Sequence, residues 1–182
     1  MISRVVTVGG PPGSGKSTAG RRVAEALRLE YRSAGDVFRA EAARHGLDLE
    51  AFGRYAEAHA EVDRALDDAM QRLARPGRLL DGRVQGALCR RRGVPVYDVL
   101  VTADEAERIR RVAARDHESV AEAAAHVRDR ERSERARYRA LYGIDLDAPT
   151  PDLTVDTSAT PPDGVVRAVL DFLRAAEAAA AR

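Results

Sequence analysis

Residues 10–17 of this 182-residue chain read Gly-Pro-Pro-Gly-Ser-Gly-Lys-Ser, a full match to the spacing G-x-x-x-x-G-K-[ST]. Such a segment commits the chain to a strand before it and a helix after it. Its glycines let consecutive backbone N–H groups turn inward around an anion, and the N-terminus of the next helix aims at the same point. Both flanks comply: residues 4–8 form a short β-branched run, and residues 17–27 space Ala19, Val23, Ala24 and Leu27 at helical intervals. Gly10, Pro11, Pro12, Gly13, Ser14, Gly15, Lys16, Ser17 and Thr18 are therefore candidate phosphate-binding residues, with the Ser17 hydroxyl a candidate magnesium ligand.

Lys16 is the only lysine among the 30 Lys and Arg residues. A compact ammonium on a flexible stem can reach the β- and γ-phosphates from inside the loop, where a planar guanidinium would collide with it. Elsewhere arginine serves wherever either cation would do.

The length fits one domain spanning residues 1–182. A net charge of +1 with 32% charged residues gives a balanced surface without the basic excess of nucleic-acid binders, so no polynucleotide partner is expected. The single Cys89 can make neither an internal disulfide nor a cysteine-based zinc site, and reads as a small apolar residue on a helix. The chain enters a strand from Met1 with no room for a signal peptide, and no apolar run is long enough to span a membrane. A cytoplasmic monomer with no membrane partner is the expectation.

Candidate strands at 4–8, 29–33, 78–81, 96–101 and 153–156 alternate with helical stretches, which predicts an α/β fold with a doubly wound, five-stranded parallel sheet. Thr102 with Glu105 and Ser119 with Glu122 fit the capping box, and Thr160 before Pro161 fits a helix start. Residues 36–74 are helical in character and too long for a simple crossover. They predict a lobe over the C-terminal edge of the sheet, where ligands of open α/β sheets bind. The alanine-rich 175–182 reads as the fraying end of the last helix.

Three further stretches can carry chemistry. Ser33-Ala34-Gly35-Asp36-Val37-Phe38-Arg39 leaves the second strand and puts Arg39 one turn into the lobe, either solvated or facing the phosphate of a second substrate. Leu79-Leu80-Asp81-Gly82-Arg83 ends a strand in a carboxylate, suited either to hold magnesium through water or to cap a helix. Residues 128–139 sort at helical spacing into two stripes, Arg130, Glu134 and Arg137 against Arg128, Arg132, Arg135 and Arg139. One stripe is a solvated face laced with i,i+4 pairs. The other can neutralise the charge that spreads over a transferring phosphoryl group.

Together these residues resemble the cytidylate kinases, in particular the short archaeal-type branch of the P-loop nucleoside monophosphate kinases. The resemblance spans residues 5–172 and rests on the loop at 10–17, Ser-Ala-Gly-Asp-Val-Phe-Arg at 33–39, Phe52-Gly53-Arg54-Tyr55-Ala56-Glu57, Glu61-Val62-Asp63-Arg64, Asp81-Gly82-Arg83, Arg130-Glu131-Arg132-Ser133-Glu134 with Arg137-Tyr138, Tyr142-Gly143-Ile144-Asp145 and Asp156-Thr157-Ser158. It implies a monophosphate-binding lobe at about 36–74, an arginine-bearing lid near 115–140, and transfer of the γ-phosphoryl group of ATP to CMP or dCMP with Mg²⁺. By position, the loop from Gly10 to Thr18 would bind ATP, with Lys16 stabilising charge, and Ser17 and Asp81 would serve the metal. Ser33, Asp36, Arg39 and Arg83 would bind the acceptor, and Arg130 and Arg137 would act catalytically from the lid. Glu134 would orient those arginines or touch the acceptor ribose, and Asp63 with Arg64 would read the cytosine edge.

The chain departs from the family pattern at His59-Ala60, where an acidic residue and proline are expected. It departs again at Gln85, where an apolar residue is commoner, and at Pro149 and Pro151. These bear on base choice more than on phosphate chemistry. A guanine-nucleotide switch needs an Asn-Lys-x-Asp motif that a chain with one loop lysine lacks. An adenylate kinase would carry Asp-Gly-Phe-Pro-Arg after the third strand. A kinase of another small acceptor, such as AMP, UMP or a non-nucleotide metabolite, and a non-kinase ATP-binding regulatory module remain the alternatives; the second phosphate site implied by the lobe arginines disfavours the latter. Replacing Lys16 by Met is expected to leave the fold intact and lower transfer by about 10³-fold or more. Arg39→Ala is expected chiefly to raise the acceptor KM; steady-state kinetics beside circular dichroism checks both.

Overall fold

The computed structural model describes residues 2–181. Its elements run β1 (Val5–Gly9), α1 (Lys16–Leu27), β2 (Glu30–Ser33), α2 (Ala34–Arg44), α3 (Leu49–Ala58), α4 (Ala60–Gln71), β3 (Arg78–Asp81), α5 (Gln85–Arg91), β4 (Val96–Thr102), α6 (Glu105–Asp116), α7 (Val120–Tyr142), β5 (Leu153–Asp156) and α8 (Pro162–Ala180). The five strands form one parallel sheet in the order β2-β3-β1-β4-β5.

Covering helices bury both faces of the central strands, which is why β1 is apolar without a break apart from Thr7. Val6 and Val8 face α1 and α8, packing with Val23, Val169 and Leu173, while Val5 faces the opposite layer with Met70, Leu80 and Cys89. Each such valine contributes roughly 1.5–3 kcal/mol by its burial. Thr7, the polar residue of β1, is fully buried and donates to Asp98 Oδ1 at 2.7 Å.

The register positions the site. Val8 on β1 lies opposite Asp81 on β3, and Asp81 lies opposite Ser33 on β2. One rung of the sheet therefore ends in the phosphate loop, the candidate metal carboxylate and the N-cap of the helical lobe. This is the crevice beside the strand at which the order reverses, where open α/β sheets take their ligands.

Several local expectations need correction. Strand β1 begins at Val5 and β2 at Glu30, one residue later than the sequence suggested, and β1 and β4 each run one residue further. The box at Ser119 and Glu122 forms, with both reciprocal hydrogen bonds. The one at Thr102 and Glu105 does not, because Thr102 is still strand: its hydroxyl donates to Val155 O and Asp104 takes the cap position. At α8 the cap is Pro161, not Thr160, and Pro162 is the first helical residue. The lobe at 36–74 is three helices, α2 to α4. The stretch at 115–140 is helical, as the stripes at 128–139 suggested, and α6 and α7 form a hairpin with its own core of Ile109, Val112, Ala123 and Val127. Cys89 is buried on α5, as expected. Among the described residues no helix is long and apolar enough to cross a membrane.

Gly86 on α5 shows how tightly the second layer meets the sheet. A Cβ there would lie 2.1 Å from the Asp98 carboxylate, which Thr7 and Arg90 hold in place. Alanine would add about 1 kcal/mol of helix propensity, but overpacking against an anchored carboxylate costs about 1–3 kcal/mol. Gly86→Ala is therefore expected to lower stability by up to a net ~2 kcal/mol, read from the urea unfolding midpoint.

Candidate active site

The loop between β1 and α1 is held from outside by side chains remote in sequence. Arg108 donates through Nη1 to Pro12 O at 3.2 Å and pairs with Glu131 on α7. Thr157 Oγ1 donates to Ser14 O at 2.9 Å, and Arg111 in turn grips Thr157 at both its hydroxyl and its carbonyl, 2.8 Å each. These bonds engage the carbonyls of Pro12 and Ser14, and within the loop Ser14 N donates to Pro11 O at 3.2 Å. Gly13 has φ +78°, and a Cβ on it would come within 2.5 Å of Arg108 O, so no larger residue fits. Helix α1 starts at Gly15 with no side-chain cap and no acidic residue in its first turn, leaving its end open to an anion.

Around Lys16 gather Asp81, Arg83, Arg130 and Glu134, all close enough to act on its charge. Burial lowers the Lys16 ammonium to about 8, with Arg130 and Arg83 pushing the same way and Asp81 and Glu134 opposing. Glu134 is 4% exposed. Its two oxygens are divided between Arg83 Nε at 2.6 Å and Arg130 Nε at 2.9 Å. Burial alone would raise the carboxyl, but Arg130 and Arg83 outweigh it and hold it down at about 2. The sequence placed Arg83, Arg130 and Glu134 in three roles. The structure brings them into one cluster against Lys16.

Arg137 and Asp63, given separate tasks by the sequence, pair with each other: Arg137 Nη1 meets both Asp63 oxygens at 2.7 and 2.8 Å. In this conformation neither is open to a ligand, and the pair ties α7 to α4 of the lobe. Ser33 is the N-cap of α2, its hydroxyl accepting from Asp36 N at 3.2 Å. Asp36 holds Arg39 and also Arg21 of α1. The Arg39 side chain is 57% exposed at the mouth of the lobe, the most accessible of the acceptor candidates.

Asp81 is 2% exposed at the end of β3 and accepts from Tyr31 Oη through Oδ2 at 2.5 Å. Ser17 and Thr18 are exposed in the first turn of α1. Among the described residues no three His, Cys, Asp or Glu side chains gather into a metal cage. That donor set suits magnesium, which keeps several waters and phosphate oxygens and takes few protein ligands. Beside the loop lies a cavity of about 340 Å³, lined by Gly15, Thr18, Arg111, Thr157, Thr160, Pro162 and Val165. It falls in the size range of small-molecule sites.

Sequence reasoning missed Arg108, Arg111 and Tyr31, whose roles come from contacts between different elements that no local pattern reports. It noticed Gln85 only as a departure. Gln85 is 1% exposed, donates to Asp67 Oδ1 at 2.9 Å and accepts from Gln71 Nε2 at 2.7 Å. Burial pushes the Asp67 carboxyl up to about 6, with Asp63 adding to the shift and Tyr142 and Gln85 opposing it.

Comparison with known proteins adds the following. A family model described as an AAA domain matches residues 9–140. The cytidylate kinase of Pyrobaculum neutrophilum is 41% identical over 172 residues, covering 93% of this chain and 92% of that protein. Those of Pyrococcus horikoshii and Archaeoglobus fulgidus are 39% and 36% identical, covering 93% and 91% of this chain and 89% and 92% of theirs. Among solved structures, the shikimate kinase of Bacteroides thetaiotaomicron superposes with a TM-score of 0.62 at 13% identity, covering 94% of this chain and 98% of that one. The gluconokinase of Sinorhizobium meliloti superposes with a TM-score of 0.60 at 17% identity, covering 95% and 93%. The last two likenesses are of fold.

Asp67 gives the site's surroundings a pH signature. Its folded value of about 6 lies above the ordinary 3.8, so the folded state keeps a proton that the unfolded chain has released between those limits. Its contribution to stability is full below about pH 4 and is lost as pH rises through about 6. Asp67→Asn, which can still accept from Gln85, is expected to raise stability at pH 8 by about 1–3 kcal/mol and to make no difference near pH 4. Urea unfolding across that range checks it.

Proposed function

The chain belongs to the archaeal-type cytidylate kinase family, and on that premise we propose that it transfers the γ-phosphoryl group of ATP to CMP or dCMP, yielding ADP and the nucleoside diphosphate. The observation that carries this reading is the Lys16 cluster. A phosphate loop, its lysine and two arginines on a shared buried carboxylate stand at the mouth of a separate helical lobe with its own arginine, Arg39. A hydrolase has no use for a second phosphate site.

In this reading the loop N–H groups and the N-terminus of α1 bind the ATP phosphates, and the cavity between Arg111 and Thr157 to Val165 takes the adenine. Lys16 meets the charge growing between the β- and γ-phosphates. Arg83 and Arg130 neutralise the equatorial oxygens of the transferring group from opposite sides, each held at a fixed angle by Glu134. Ser17 and Asp81 are the residues that would hold magnesium, which would offset the charge of the phosphates. Arg39 takes the acceptor phosphate. No side chain has to remove a proton from the acceptor phosphate, so the work is positioning, electrostatics and exclusion of water. The Arg137–Asp63 pair joins α7 to the lobe, and its exchange for contacts with substrate is a way for acceptor binding to be felt at the lid helix.

The test is ADP formation from Mg-ATP with CMP, dCMP, UMP, AMP or GMP supplied singly, beside a control without acceptor. CMP and dCMP are expected to raise turnover at least about tenfold over the others, a discrimination of some 1.4 kcal/mol. Equal turnover with and without every acceptor would rule out the proposal.

A further inference from the structure

Tyr31 does more than fill a strand. Its hydroxyl donates to Asp81 Oδ2 at 2.5 Å across the pairing of β2 with β3, and it lies near enough to Ser17 of α1 for that side chain to bear on its proton. The phenol is therefore bonded to one of the two side chains assigned to the metal and lies near the other. It is built in place from both sides. Gly20, in the middle of α1, has no Cβ; one there would come within 3.2 Å of Tyr31 Cε2 and 3.3 Å of Leu79 Cδ2. Glycine inside a helix gives up about 1 kcal/mol against alanine, and here the space it leaves admits the ring. Arg21, on the next residue of the same helix, lays its guanidinium over the ring 4.4 Å from its centre. Arg21 also pairs with Asp36, the partner of Arg39.

The chemistry of the donor matters. Asp81 is almost fully buried, and among the described residues it forms no salt bridge, so something neutral has to satisfy and orient it. An arginine or lysine bonded there would orient the carboxylate too, but would cancel the charge that attracts a cation. A phenol fixes one oxygen and leaves the full negative charge, with the other oxygen free to turn toward the phosphates.

We propose that Tyr31 is a positioning residue for magnesium, orienting Asp81 at the phosphate loop and linking it through Arg21 and Asp36 to the acceptor arginine Arg39. The proposal rests on the magnesium–nucleotide reading of the site, but not on which acceptor is phosphorylated.

Binding of ADP, measured by calorimetry with Mg²⁺ and with EDTA, tests it without turnover. The proteins compared are the wild type, Tyr31→Phe, Asp81→Asn and the double variant. Tyr31→Phe keeps the ring and is expected to leave ADP affinity in EDTA within about twofold, while cutting the gain from Mg²⁺ about fivefold, the worth of one hydrogen bond. Asp81→Asn is expected to remove most of that gain, and adding Tyr31→Phe to it should change nothing further. An unchanged magnesium gain in Tyr31→Phe, an equal loss in EDTA, or additive effects in the double variant would each overturn the proposal. If Asp81→Asn alone keeps the full gain, the metal role of Asp81 falls and the role of Tyr31 with it. A positive acceptor assay would be unaffected by either result.

Discussion

A single carboxylate organises this site. Glu134 sits on α7, in the second half of the chain, and is buried between Arg83 and Arg130 beside Lys16. Taking one charge out of water costs several kcal/mol, and taking out its partners costs more; only near-complete pairing compensates. The pairing joins the Arg108–Glu131 pair in fixing α7 over the phosphate loop. Lys16, Arg83 and Arg130 against Asp81 and Glu134 leave one positive charge in surplus, so the cluster is nearly balanced when empty and still favours a polyphosphate. Without Glu134 three cations would face one carboxylate, and the arginines would lose the geometry that makes them useful.

The contrast with Asp67 shows that environment, not residue type, sets protonation here. Both carboxylates are buried. Glu134 has guanidinium groups on each oxygen and is held ionised down to about pH 2. Asp67 has neutral neighbours to hold its charge, the Gln85 amide on one oxygen and the Tyr142 hydroxyl nearby, and burial raises its carboxyl to about 6. The first environment suits a permanent charge at a phosphate site. The second belongs to the packing of α4 against α5.

The loop itself depends on its supports. A glycine-rich segment gains its anion-binding shape only if its carbonyls are engaged elsewhere, and Arg108, Thr157 and Arg111 engage them. Arg108 binds Pro12 and Glu131 together, so the α6–α7 hairpin and the loop share one fastening. Local sequence supplies the loop's flexibility, and tertiary contacts take it away.

The sequence by itself determined the class of fold and the phosphate chemistry. Alternating apolar strands and helices dictated a parallel sheet, five strands were legible to within a residue, and the loop with its one lysine marked the phosphate site. These are local properties, written in backbone sterics and in the period of buried side chains. The same is true of the Ser119 cap, whose partners are three residues apart. What only the tertiary structure decided is which charges meet. The helical stripe of Arg130, Glu134 and Arg137 was visible, but that Glu134 would take Arg83, 51 positions away, and Arg137 would take Asp63, 74 away, was not. Nor was the failed cap at Thr102, lost to strand pairing, or the fit of Tyr31 over Gly20. Pairing between distant charges depends on distance and desolvation, and neither exists until the chain has folded.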